Sequence, residues 1–161
     1  MTYLLTFASY GTRLHGDAKG SFDRRQGPVH ENAAWESFER SLLREHPFEL
    51  DADRRVIVLE AIQEVAAYRN WRLVAVHVRS THVHAIVDTD TTPPKAIGDF
   101  KAYASRRLAQ RGNGLDRQCR WARFGNFSLL RDRKALASAI SYVLEQQGEP
   151  MATFLDPAWA A

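Results

Sequence analysis

The chain is expected to fold as an α+β protein built on one antiparallel sheet. Three observations predict this. Alternating or Val-rich apolar runs mark strands at residues 3–9, 72–79, 82–88 and 125–130. Stripes at helical spacing lie between these runs and after the last one. The pair Ser80-Thr81 is short enough to join two of the strands as a hairpin.

Residues 10–33 are rich in Gly, Asp and Arg and read as a long loop, a kind of segment that is often functional in compact domains. Residues 34–45 form a short helix on the spacing of Trp35, Phe38 and Leu42. Asp51 or Asp53 caps a longer helix with a stripe of Val56, Leu59, Ile62 and Ala66, ending near Asn70. Arg72–Arg79 and His82–Asp88 are the hairpin strands. Pro93 and Pro94 open a helix whose stripe is Ile97, Phe100, Ala104 and Leu108, and Gly112 closes it. Gly125–Leu130 is a short strand. Asp132 caps a last helix that runs to about Gln147, where Gly148 stops it. Its buried stripe is Leu136, Ile140, Val143, Leu144 and Gln147. The βαββαβ order is the ferredoxin-like or RRM-like arrangement with an added C-terminal helix. One domain over 1–150 and a poorly defined tail over 151–161 are expected.

With 161 residues, 45% hydrophobic and 25% charged, the chain can bury a sizeable core and is not of disordered composition. Cys119 is the only cysteine, so no internal disulfide can form, which fits a reducing, intracellular setting. No apolar run is long enough to span a bilayer, and the first residues do not read as a signal peptide. Net charge is +3, but it is unevenly spread. Residues 95–134 hold 11 Lys or Arg against three acids, a net +8, while residues 1–94 carry −2. Such a block fits a polyanionic partner or, equally, a solvated helix face.

Two motifs carry chemistry. In His82-Val83-His84 the two imidazoles leave one face of a strand together, which suits a pair of metal ligands or two polar residues facing solvent. On the last helix Tyr142 and Gln146 stand four residues apart, off the apolar stripe. That places a phenol beside a metal or, in the bland reading, a ring at the sheet edge.

Taken together, His-hydrophobic-His on a strand and Tyr-x-x-x-Gln on a C-terminal helix resemble the HUH endonucleases. The likeness is greatest to the single-tyrosine transposases of the insertion-sequence-200-like and REP-associated groups. The segment Val76–Val87 is similar to that family's hairpin, and Ala139–Gln147 to its nucleophile helix. The stretch Thr6–Thr12 with His15-Gly16-Asp17 resembles a subgroup's N-terminal signature. The resemblance implies metal-dependent nicking and strand transfer of single-stranded DNA with hairpin ends. His82, His84 and Gln146 would hold a divalent metal, Mg2+ or Mn2+, and Tyr142 would be the nucleophile of a 5′-phosphotyrosine intermediate. It further implies a bacterial, nucleoid-associated protein and leaves monomer and homodimer open.

DNA contacts are expected from Lys101, Arg106, Arg107 and Arg111 on one helix. Arg117, Arg120, Trp121, Arg123, Phe124 and Phe127 interleave cations with rings, although Phe127 reads better as core. His77 reads as a group supporting the histidine pair, a phosphate contact or an ordinary strand residue, the last two being preferred, and Tyr103 is the second candidate nucleophile. The competing readings are a non-catalytic RRM-like nucleic-acid binder and a metal-independent two-histidine phosphoesterase. The second needs two separated His motifs, and only one is present.

Overall fold

The computed structural model describes residues 1–23, 25–112 and 119–160. A five-stranded antiparallel sheet is its frame. It is formed by β1 (Thr2–Ser9), β4 (Arg72–Val78), β5 (His82–Asp88), β6 (Trp121–Leu130) and β7 (Ala152–Leu155), in the order β6-β1-β5-β4-β7. Two short strands, β2 (Ser21–Asp23) and β3 (Gly27–Val29), pair inside the long loop after β1. The helices are α1 (Ala33–Ser41), α2 (Ala52–Tyr68), α3 (Pro93–Arg111) and α4 (Arg133–Glu145). The first four sheet strands in space follow the βαββαβ pattern, so the expected fold class is the observed one.

Strand alternation divides the molecule into two layers. Tyr3, Leu5, Phe7, Val83, Ala85 and Val87 face α2 and α3, where Val58, Ile62, Val65, Ile97 and Phe100 complete the larger core. On the other face Leu4, Val74, Ala75 and Ile86 meet Ala139 and Val143 of α4. Side chains cap the helix starts: Asp51 accepts from Arg54 N–H, Asp132 from Ala135 N–H and Asn32 from Trp35 N–H. Phe100 is fully buried and stands edge-on to Trp71 at 5.8 Å. Phe100→Ala is expected to cost about 3–5 kcal/mol in denaturant unfolding, because the cavity under α3 cannot collapse onto a rigid sheet.

Several expectations are corrected. Val56 is 48% exposed, and α2 buries Val58, Ala61, Ile62, Val65 and Ala66 instead. Val56-Ile57-Val58-Leu59 are consecutive and apolar, so pattern alone does not fix the helix phase. Phe127 is 50% exposed, with its ring edge-on to Tyr3 at 6.4 Å. It lies on the edge strand β6, which comes close to Ile97 of α3 at Gly125. The last strand begins at Trp121, not Gly125. The tail is ordered: β7 pairs with β4 from Val78↔Ala152 to Ala75↔Leu155, and Trp159 packs on the α4 side. A four-residue strand between Pro150 and Pro157 carries too little pattern to be seen in sequence. No helix among the described residues is long and apolar enough to cross a membrane.

A candidate active site between the sheet and the last helix

The site lies on the sheet face that α4 partly covers. β5 places His82, His84 and Ile86 there, and the register sets Thr6 of β1 and His77 of β4 on either side of His84. His82 is 8% exposed and His84 3%, and their rings stand edge to face at 4.8 Å. Thr6 Oγ1 is 2.9 Å from His84 Nδ1, and Thr81 Oγ1 is 3.1 Å from His82 Nδ1. A hydroxyl oxygen can accept from Nδ1–H, so at both rings the tautomer with a free Nε2 lone pair is available. His84 Nε2 lies 3.2 Å from the Gln147 side-chain oxygen. His82 Nε2 is buried and has no hydrogen-bond partner.

The helix contributes the other half. Ala139 and Val143 bury against the sheet, which sets the roll of α4. Tyr142 follows from that roll: it is 40% exposed, and its ring stands edge-on to His84 at 5.5 Å. Beyond the helix end, Gln147 donates from Nε2 to Tyr142 O at 3.1 Å, which aims Oε1 at His84. Gln146, the amide four residues after Tyr142, donates instead to Ser141 Oγ at 3.1 Å and is exposed. His77 is fully buried. Its Nε2 accepts from Met151 N–H at 3.1 Å, so its Nδ1–H donates to Val143 O at 2.8 Å. It is neither a phosphate contact nor an ordinary strand residue but a brace that ties α4 and the start of β7 to β4.

Two imidazole nitrogens and one amide oxygen are therefore the donors that could hold a divalent cation. The unpartnered His82 Nε2 fits that use. So does the spacing of His84 Nε2 and Gln147 Oε1, since neighbouring donors on an octahedral ion with bonds near 2.1 Å are about 3 Å apart. Among the described residues no group of three or more His, Cys, Asp and Glu could hold a metal. The three candidate donors, two imidazoles and an amide, are all neutral groups.

Burial pushes the His82 imidazole down to about 3, with Arg13, His84, Arg79 and His77 adding to the effect. Burial also pushes His84 down to about 4, against the opposing effect of its hydrogen bond to the Gln147 amide oxygen, with Arg13, His77 and Arg79 adding a smaller push. Both rings are held neutral at neutral pH, the form an imidazole needs if it is to bind a metal. In an unfolded chain they would titrate near 6.5. Between about 6.5 and 4 the unfolded chain takes up protons that the folded chain refuses, so stability is lost as pH falls through that window and is unaffected above it. Urea midpoints are expected to be flat above pH 7 and to drop below 6.5, by up to about 1.4 kcal/mol per pH unit for each ring. The double variant His82→Asn/His84→Asn should show a shallower drop.

Residues 44–145 match the family model described as Transposase IS200 like. The chain belongs to the IS200-like transposase family. The matched span includes His82, His84 and Tyr142 and ends just before the two glutamines. No curated protein matches. Among solved structures, a REP-associated tyrosine transposase bound to a REP hairpin is similar over 90% of this chain, at 14% identity and a TM-score of 0.52. The match covers 65% of that structure's own chain. A crystal structure of a Deinococcus radiodurans R1 protein assigned as a transposase is similar over 91% of this chain and 90% of its own, at 14% identity and a TM-score of 0.47.

In this member of the IS200-like transposase family, Lys101, Arg106, Arg107, Arg111 and Trp121, five of the expected DNA-contacting residues, lie on the α2–α3 side of the sheet, away from the histidine pair. Arg107 pairs with Glu64, and Arg111 with Glu60 at 3.1 Å, which ties α3 to α2. Lys101 Nζ donates to Ala122 O at 2.7 Å and Phe124 O at 3.2 Å, and burial lowers its pKa. It fastens β6 to α3. Trp121 donates to Lys101 O at 3.1 Å and packs edge-on to Phe7 at 5.3 Å. Arg106 lies over Tyr103 at 4.8 Å, and Tyr103 packs with Tyr68, so this second tyrosine is also on the α2–α3 side. The Arg120 carbonyl accepts from Tyr10 N–H, and Arg123 lies over Phe124 on the edge strand. Arg117 falls outside the described residues. The cations that stand at the histidines are Arg13, from the long loop, and Arg79, from the end of β4.

Proposed function

We propose that this transposase nicks and transfers single-stranded DNA at hairpin-bearing ends in a metal-dependent reaction, through a 5′-phosphotyrosine intermediate. One observation carries the reading: Tyr142 stands edge-on to His84 on the face where His82 and Gln147 converge. A divalent cation, Mg2+ or Mn2+, held by His82, His84 and Gln147 would polarise the scissile phosphate without needing to generate hydroxide. Because its donors are neutral, its charge would be directed at the phosphate and not spent on carboxylates.

The remaining steps belong to the chain's own groups. Tyr142 is on the solvent side of the site, where a strand can lie across it. Its Oη forms the new bond to phosphorus, and the bond from phosphorus to the 3′ oxygen breaks. The phenol gives up its proton, and the departing oxygen ends as a free 3′ hydroxyl. The phosphodiester energy is kept in the tyrosine ester, so attack by another 3′ hydroxyl reverses the step and joins strands. His77 supports this by holding Val143, the neighbour of Tyr142, against β4. The hairpin-bound structural neighbour supports a hairpin-bearing substrate.

The test is incubation of the full chain with single-stranded DNA bearing a hairpin end, with Mg2+ or Mn2+. A covalent protein–DNA adduct that EDTA prevents is the expected result. Hairpin binding with no adduct under any metal would replace this reading with the non-catalytic one.

A further inference from the structure

We infer that Arg13 grips the phosphodiester that Tyr142 attacks, taking a non-bridging oxygen with its guanidinium. The inference rests on the proposed nicking reaction and adds a substrate-binding residue that lies outside both the His-x-His and the tyrosine motifs.

The loop that carries Arg13 is built to present it. On one side Thr12 Oγ1 donates to Ser9 O at 2.9 Å and contacts Ser9 Oγ at 3.0 Å. Ser9 is fully buried and donates from N–H and from Oγ to Thr81 O, next to His82. On the other side Leu14 is buried, and His15 is held by Glu39 through both its backbone N–H at 2.7 Å and its Nδ1 at 2.6 Å. Gly16 then turns at φ +82°, so close to Asn32 that a Cβ would sit 2.3 Å from Asn32 O. Arg13 is the exposed residue between these two anchorages.

Its charge is not used elsewhere. No ion pair among the described residues includes it. Among the described residues its one polar contact is Nη2 to His82 Nδ1 at 3.3 Å. A guanidinium cannot accept a hydrogen bond, so this contact requires a bare Nδ1. When His82 offers its Nε2 lone pair to a cation, Nδ1 carries the proton and donates to Thr81 Oγ1, 3.1 Å away. That tautomer releases Arg13. A planar donor fork is then left at the rim of the site, and phosphate oxygens are what such a fork recognises. Arg79, the other nearby cation, donates to Glu149 O at 3.0 Å and lies 3.4 Å from His77 Nε2, on the β4 side of the histidine pair.

The probe is the dinucleotide d(TpT), which has a single phosphodiester, titrated into the full chain with Mg2+ and followed by NMR at the arginine Nε–Hε signals. Arg13 is expected to shift saturably, and Arg13→Ala to weaken binding by roughly tenfold or more, with Arg13→Lys in between. Mg2+ affinity should not fall in Arg13→Ala, because Arg13 is not a ligand and its loss frees His82 Nδ1 to carry the proton. Unchanged d(TpT) binding in Arg13→Ala overturns the inference, whether or not wild-type protein forms an adduct. Weakened d(TpT) binding with no wild-type adduct keeps Arg13 as a phosphate site and rejects the nicking reaction. Where the adduct does form, Arg13→Ala should slow it by about tenfold or more at saturating hairpin DNA. An unchanged rate there also counts against the inference.

Discussion

Tyr142→Phe is expected to abolish the covalent protein–DNA adduct, by a factor of about a thousand or more, while leaving fold and DNA affinity in place. The substitution removes one oxygen and nothing else the structure uses. The phenyl ring keeps its edge contact with His84, and the hydroxyl makes no hydrogen bond among the described residues. A half-exposed ring with no polar partner contributes little through its hydroxyl, so the urea midpoint should correspond to a change within about 0.5 kcal/mol. Hairpin DNA binding, measured by anisotropy, should stay within about twofold. Tyr103→Phe is the control. Tyr103 packs against Tyr68 and Arg106 on the opposite layer, so its variant should form adduct at the wild-type rate. Adduct from Tyr142→Phe but none from Tyr103→Phe would place the chemistry on the wrong side of the sheet and overturn the assignment.

The parts of the fold that were legible in sequence are those where one signal dominates. The strand His82–Asp88 is bounded by a two-residue turn and by polar residues, and it runs as expected. The α3 stripe of Ile97, Phe100, Ala104 and Leu108 is interrupted by charged residues, so only one face can be buried. In α2 a run of four apolar residues removes that discrimination, and its phase is set by packing against β4 and α3 instead. The basic block illustrates a different limit. Composition counts Lys101, Arg107 and Arg111 as available cations, but whether a cation is free depends on what α2 and β6 bring to it. Glu60, Glu64 and two β6 carbonyls come from far along the chain. Conversely, the cations at the histidines arrive from the loop and from the β4–β5 turn. There they are isolated residues that form no patch in sequence.

The same distinction sets the expected result for the two glutamines. Spacing from Tyr142 favours Gln146, because side chains four apart share a helical face. That rule holds only while the helix continues, and α4 ends at Glu145. Gln147 extends the buried stripe through Val143, and the stripe faces the sheet surface that bears the histidines. Past the helix end its amide nitrogen is fixed by Tyr142 O, and its oxygen is left facing His84 Nε2. Gln147→Ala is therefore expected to raise the Mn2+ dissociation constant by roughly 10- to 100-fold, read by EPR or calorimetry on the DNA-free protein. His84→Ala should exceed that, since it removes an imidazole and also the ring that Gln147 and Tyr142 pack against. Gln146→Ala should stay within about twofold, because the Ser141 contact it loses is exposed. If Gln146→Ala weakens Mn2+ binding and Gln147→Ala does not, the helix continues one residue further with metal bound than without it. The ligand would then follow the spacing and not the end of α4.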